Sequence, residues 1–262
     1  RNGQLPLIYA RAAWAISPQN TDALILAGQI LTEDEQYALA AEAYGAVPAD
    51  DDQYVEAQMG RAEALERQDD LDAALATLQA LQEAQPDLAP IHAALGDTLR
   101  RAERCEEAID SYTAALDLVD TSQSRYWFLH YTRAICYHLT DNWPPAEADF
   151  RRALELNPDQ PQVLNYLGYS LVEQRRNLDE ALDMIERAVA ARPDSGYVVD
   201  SLAWVYYRLG RFDEAVEPME RAAELLPTDP IINDHLGDVY WMVGRKREAR
   251  FQWHRALSLD PE

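Results

Sequence analysis

The chain has 262 residues, with 46 Asp and Glu against 23 Lys and Arg, a formal net charge of -23. That imbalance disfavours nucleic acid and anionic lipid as partners, because both require clustered cations. Since 48% of the residues are hydrophobic, the chain is not an acidic disordered one, and 10 scattered Gly with few Val, Ile and Thr argue against an all-β fold.

Self-similarity dominates the rest of the sequence. Residues 1–20 read as the second half of a repeating unit, with Ala13 in a small-residue place and Pro18 in a closing place. From there a small residue recurs at Gly28, Ala62, Gly96, Ala134, Gly168, Ala203 and Gly237, at spacings of 34, 34, 38, 34, 35 and 34. Units are expected to begin near 21, 55, 89, 127, 161, 196 and 230, with insertions at 121–125 and 175–178. Each unit predicts two helices. The second carries paired Ala seven apart, as in Ala181 and Ala188, Ala215 and Ala222, Ala249 and Ala256, two turns along one face. Tyr44, Tyr112, Phe150 and Trp253 fill the gap between such pairs, and Pro193, Pro227 and Pro261 close units. Unit one has Pro48 early, unit two has Leu81 in place of its second Ala, and unit three ends in Asp120. These departures place irregular geometry at 46–54 and 117–127.

This pattern resembles the tetratricopeptide repeat, whose unit has a small residue in its first helix and Tyr or Leu three later. Tyr137, Tyr206 and Tyr240 take that place here, with Leu31, Leu65, Leu99 and Leu171 in the other units. The resemblance implies an all-α, right-handed superhelical solenoid over 1–262, with seven helix-turn-helix units after a half unit and the first helices lining a concave face. The strings at 165–169, 200–207 and 234–241 are also similar to exported proteobacterial repeat proteins, some of them outer-membrane lipoproteins. That likeness implies a periplasmic or outer-membrane-attached location, with a cytoplasmic one still open. The chain opens on Arg1 without Met or an apolar leader and reads as a fragment or processed form of a longer parent.

Helical position assigns the concave face to places two, five, nine and twelve of each unit. The first three units are mixed and mostly acidic there. The last four are aromatic with interleaved carboxylates. The expected protein-binding residues are Tyr131, Asn165, Tyr169, Tyr197, Asp200, Trp204, Tyr207, Asp234, Asp238 and Trp241. Aromatic anchors carry much of the energy in protein recognition, and the carboxylates favour a basic or amide-rich protein or peptide. A stripe of aromatics at helical spacing is as readily core.

No Gly-rich phosphate loop with Lys, His-Glu-x-x-His helix or nucleophile elbow occurs, so no catalytic residue, cofactor or metal site is expected. No stretch of 18 apolar residues is present to span a membrane. Two cysteines, Cys105 and Cys136, exclude a disulfide scaffold. They are expected as free or buried thiols, bridged if the protein is exported. The function expected is a non-catalytic scaffold or adaptor, set against a structural module that self-assembles through its solenoid ends or convex face.

Overall fold

A computed structural model describes residues 20–259, together with the isolated positions Ile8 and Ala12. The half unit expected at 1–20 and the closing Pro261 lie outside the described residues. Among those described there are fourteen α-helices, one 3-10 turn and no strand. In chain order the helices are α1 Thr21–Glu33, α2 Tyr37–Gly45, α3 Tyr54–Arg67, α4 Leu71–Ala84, α5 Ala89–Arg101, α6 Cys105–Asp117 and α7 Trp127–Leu139. There follow α8 Trp143–Leu156, α9 Pro161–Glu173, α10 Leu178–Ala191, α11 Gly196–Arg208, α12 Phe212–Leu225, α13 Pro230–Met242 and α14 Lys246–Leu259. The odd-numbered helices are the first helices of successive repeats.

Helix starts follow local chemistry. The side chains of Asn20, Asp70 and Asp229 accept backbone N–H bonds from Ala23, Ala73 and Ile232. Proline lies in the first turn of α5, α9 and α13, where its missing N–H costs nothing. The turn inside each repeat is equally regular. Backbone N–H groups of Gln36, Asp70, Arg104, Asn142, Arg176, Arg211 and Arg245 donate to the carbonyls of Leu31, Leu65, Leu99, Tyr137, Leu171, Tyr206 and Tyr240. These acceptors are the Leu and Tyr of the repeat signature. The donors close a C-terminal cap that requires a left-handed residue just before them. That residue is Glu35, Asp69, Glu103, Asp141, Arg175, Gly210 or Gly244, all at positive φ. The insertion at 175–178 is absorbed by a second left-handed residue, Asn177 at φ 46°.

The chain divides into two compact units, 1–149 and 150–262, with the boundary inside α8. In the first, Tyr44, Leu78 and Tyr112 are buried together with Ala40, Ala74, Ala108 and Ala115 of the second helices. A Cβ on Gly28 or Gly60 would lie 2.6 or 2.8 Å from the Tyr44 ring, so one aromatic is wedged against two first helices. Helix α2 is only 9 residues long, and Val47 beyond its end takes the buried place of the missing second Ala. Asp120, standing where a closing proline is expected, accepts bonds from Ser122 and Gln123 and orders the insertion ahead of the 3-10 turn Ser124–Tyr126.

In the second unit the core stripe is Ala181, Ile185, Ala188, Ala215, Met219, Ala222, Ala249 and Ala256. Three arginines one repeat apart clamp the preceding inter-repeat turns. Arg187 donates to the Pro158 carbonyl, Arg221 to that of Pro193 and Arg255 to that of Pro227. On the other side, Tyr240 donates to Glu220 at 2.8 Å while Arg245 bonds the same carboxylate and lies 3.9 Å from the centre of the Tyr240 ring. Tyr206, Glu186 and Arg211 make a looser version one repeat earlier. No described helix is long and apolar enough to cross a membrane.

Candidate protein-binding face

In the second unit, α9, α11 and α13 carry most of the residues expected to bind. Trp204 on α11 is their centre. Its ring stacks on Tyr207, one turn on, at 4.7 Å and 6°, and on His235 of α13 at 4.0 Å and 13°. Its Nε1–H donates to Glu173 of α9 at 2.7 Å. Arg208 reaches the same carboxylate at 3.5 Å and the Glu173 carbonyl at 3.3 Å. Three first helices are therefore tied through one indole.

Below this stack, His235 Nδ1 lies 2.9 Å from Asp200. An ionised carboxylate only accepts, so the ring proton sits on Nδ1. Burial alone would depress the His235 pKa. The Asp200 hydrogen bond and the charges of Asp200, Asp234 and Asp238 outweigh it and raise it. Burial and the Glu173 and Asp200 charges push Tyr169 up to about 12. Burial also raises Asp238, with Asp234 adding to it, although Trp253 Nε1 donates to Asp238 at 3.2 Å. Tyr207 is raised by burial and by Asp238.

Sequence position set Asp200 and Trp204 on an open face. The structure buries both, at 6% and 8% exposure, because His235 and Tyr207 sandwich the indole and Asp200 faces the imidazole. What remains open is a rim. Tyr197 is 60% exposed, Ile231 62% and Trp241 38%. Asp234 is exposed one turn after Ile231 on α13, and Tyr169, Tyr207 and Asp238 are half-buried. Trp241 packs on Trp253 at 5.4 Å, and the Lys246 ammonium lies 3.6 Å over the Trp241 ring centre while donating to its carbonyl. Asn165 on α9 is half-buried, and its Oδ1 is buried with no hydrogen-bond partner. Tyr131 lies in the first unit on α7, half-buried, 5.9 Å from the Trp127 ring.

Sequence reasoning missed Glu173 and Arg208. Both stand at place thirteen of their units, one beyond the last place considered, and their pairing at a separation of 35 is the signal that finds them. In the first unit the same helical places, Glu56, Met59, Glu63 and Glu66 on α3, line a cavity of about 460 Å³ with Tyr44 and Asp97. Glu63 pairs there with Arg67, and Glu66 with Arg101. Among the described residues no group of three or more His, Cys, Asp or Glu is placed to hold a metal ion.

A family model described as tetratricopeptide repeat matches residues 25–89, 93–161, 140–196 and 167–230. The TPR repeat-containing protein PA4667 of Pseudomonas aeruginosa is 27% identical over 185 residues, 70% of this chain and 30% of that protein. The chain thus spans under a third of this relative's length. Among solved structures, a tetratricopeptide repeat protein from Parabacteroides merdae aligns with a TM-score of 0.71 at 18% identity, over 92% of this chain and 94% of that one. YrrB, described as a TPR protein with an unusual peptide-binding site, aligns with a TM-score of 0.55 at 20% identity, over 71% of this chain and 93% of its own. At these identities the structural likenesses show the fold.

Proposed function

The chain belongs to the tetratricopeptide repeat family, and on that footing we propose that it is a non-catalytic adaptor that holds a protein or peptide on the first-helix face of its second unit. The observation that carries this reading is the exposure of Tyr197 and Ile231 at place two of successive repeats, and of Trp241 at place twelve of the second, while Trp204 between those places is packed away. Exposed aromatic side chains held by a rigid base bind at low entropic cost. The base is the Trp204 stack, whose ties to α9 and α13 immobilise the helices that carry the rim.

The partner is read as basic or amide-rich. On α13 the exposed Asp234 lies one turn from Ile231, and the half-buried Asp238 one turn from Trp241. The peptide-binding description of YrrB, a protein of like fold, supports the class of ligand. The finer reading, an adaptor in the bacterial cell envelope, rests on the resemblance of the 165–241 strings to exported repeat proteins. Cell fractionation tests it, and recovery in the cytosol alone refutes it.

The test of the face uses a basic peptide selected from a random library against the whole chain, titrated by calorimetry. Tyr197→Ala and Trp241→Ala are each expected to weaken binding about tenfold or more, as interface anchors do, with the melting temperature unchanged by Tyr197→Ala and lowered by Trp241→Ala, which removes the packing on Trp253. Binding that survives both substitutions removes the reading. Self-assembly is favoured by a separate observation: Phe251 and Leu257 on α14 are each 64% exposed. Light scattering across a concentration series that shows an oligomer, abolished by Phe251→Asp, supports that second reading.

A further inference from the structure

Cys105 and Cys136 are used by neither reading. Cys105 is the first residue of α6 and Cys136 lies in α7, so they belong to consecutive repeats on either side of the connection 118–126, which holds the insertion at 121–125. Both are free and buried, and both sit in one cluster with Leu99, Tyr112 and Leu129. The Cys136 thiol lies against Cys105, with Arg100 and Asp97 as its charged neighbours. Their access differs. Cys105 is 7% exposed and lines a cavity of about 570 Å³ with Arg100, Glu103, Arg104 and Thr140, whereas Cys136 is wholly enclosed and does not reach it.

We propose that Cys105 and Cys136 are a redox dithiol that closes to a disulfide when a low-molecular-weight disulfide enters the cavity, Cys105 reacting first and Cys136 resolving. In the first exchange the Cys105 thiolate attacks one sulfur of the incoming disulfide. The S–S bond of the reagent breaks, one thiolate leaves and takes up the proton lost from Cys105, and a mixed disulfide remains on Cys105. In the second, Cys136 Sγ attacks Cys105 Sγ, the mixed disulfide breaks, and the second reagent thiolate leaves with the Cys136 proton. In sum, one reagent disulfide is reduced to two thiols and one protein disulfide forms.

The enclosure of Cys136 assigns the order. Burial, with the adjacent Cys105 sulfur adding to it, holds the Cys136 thiol above the ordinary range, and Arg100 works against that rise. A buried protonated thiol waits until the attack on its neighbour brings a leaving group alongside. The bridge ties the second helix of one repeat to the first helix of the next across the inserted connection, and so shortens the free loop of the unfolded chain.

The whole chain is incubated natively with oxidised glutathione, then digested under acid and mapped by mass spectrometry. The expected product is an internal Cys105–Cys136 bridge with no free thiol, and a higher melting temperature that dithiothreitol reverses. Cys136→Ser is expected to accumulate glutathione on Cys105, while Cys105→Ser leaves Cys136 unmodified in the folded protein. Two free thiols in the treated native wild type overturn the proposal, as does glutathione held on Cys105 without a bridge, or a bridge that forms only in denaturant. The wild-type result decides the question even where a variant fails to fold.

Discussion

A Cβ on Gly96 would lie 2.7 Å from the Tyr112 ring, which is itself fully buried and donates to Asp97 at 2.6 Å. The ring has nowhere to retreat, so Gly96→Ala is expected to cost about 1–3 kcal/mol, seen as a lower midpoint in urea unfolding. The pair Gly96→Ala with Tyr112→Leu is expected to recover part of that loss, because the shorter side chain vacates the contact. A midpoint unchanged by Gly96→Ala means that the helices of this repeat are not in close contact. The opposite sign is expected at Asp69, exposed and held at φ 66°. A left-handed conformation costs an L-residue roughly 1–2 kcal/mol, and glycine avoids it. Asp69→Gly is therefore expected to raise the midpoint by up to about 1 kcal/mol once the added freedom of the unfolded chain is subtracted. Gly210 and Gly244 show that the fold already makes this choice in its last two turns.

At the scale of elements, the first and second helices were readable because their spacing is redundant. The small residue, the Leu or Tyr three later and the paired Ala each mark the same register, and the left-handed turn residues fall in it too. The face of α9, α11 and α13 was less readable. Position alone put Asp200 and Trp204 beside Tyr197 and Trp241 and did not distinguish buried from open, because that depends on His235 reaching back from the next repeat. The consequence is a pH dependence local to these helices. The folded pKa of His235 is raised above its ordinary 6.5. The stabilisation is therefore complete below that value and is lost as pH rises through the folded pKa. The protein is expected to melt higher at about pH 6 than at about pH 8.5, and His235→Gln to remove this part of the difference. NMR titration of the imidazole supplies the direct check, and a midpoint at or below the unfolded value contradicts the Asp200 assignment.

Across the whole molecule, charge gives stability and recognition opposite responses to salt. There are twice as many carboxylates as basic side chains. Much of the arginine is already committed to structure, to Glu173, Glu180, Glu220 and the inter-repeat carbonyls among others. The surplus acid is left to repel itself along the repeats, a cost that falls as the Debye length shrinks from about 30 Å at 0.01 M to about 8 Å at 0.15 M. Raising salt over that interval is expected to raise the melting temperature, because screening the repulsion outweighs the loss of exposed ion pairs, each worth about 1 kcal/mol or less. Over the same interval the affinity for a basic peptide at the Tyr197, Ile231 and Trp241 rim is expected to fall, mainly through a slower association rate. The two trends separate the electrostatic from the aromatic part of recognition. Asp234→Asn is expected to flatten the salt dependence of binding while leaving that of melting almost unchanged, since one charge in so large a surplus scarcely alters the total. Trp241→Ala is expected to lower affinity by the same factor at every salt concentration. Calorimetric titrations at four ionic strengths, paired with melting curves in the same buffers, measure both. An affinity that rises with salt would assign the rim to an apolar or acidic partner and end the case for a basic one.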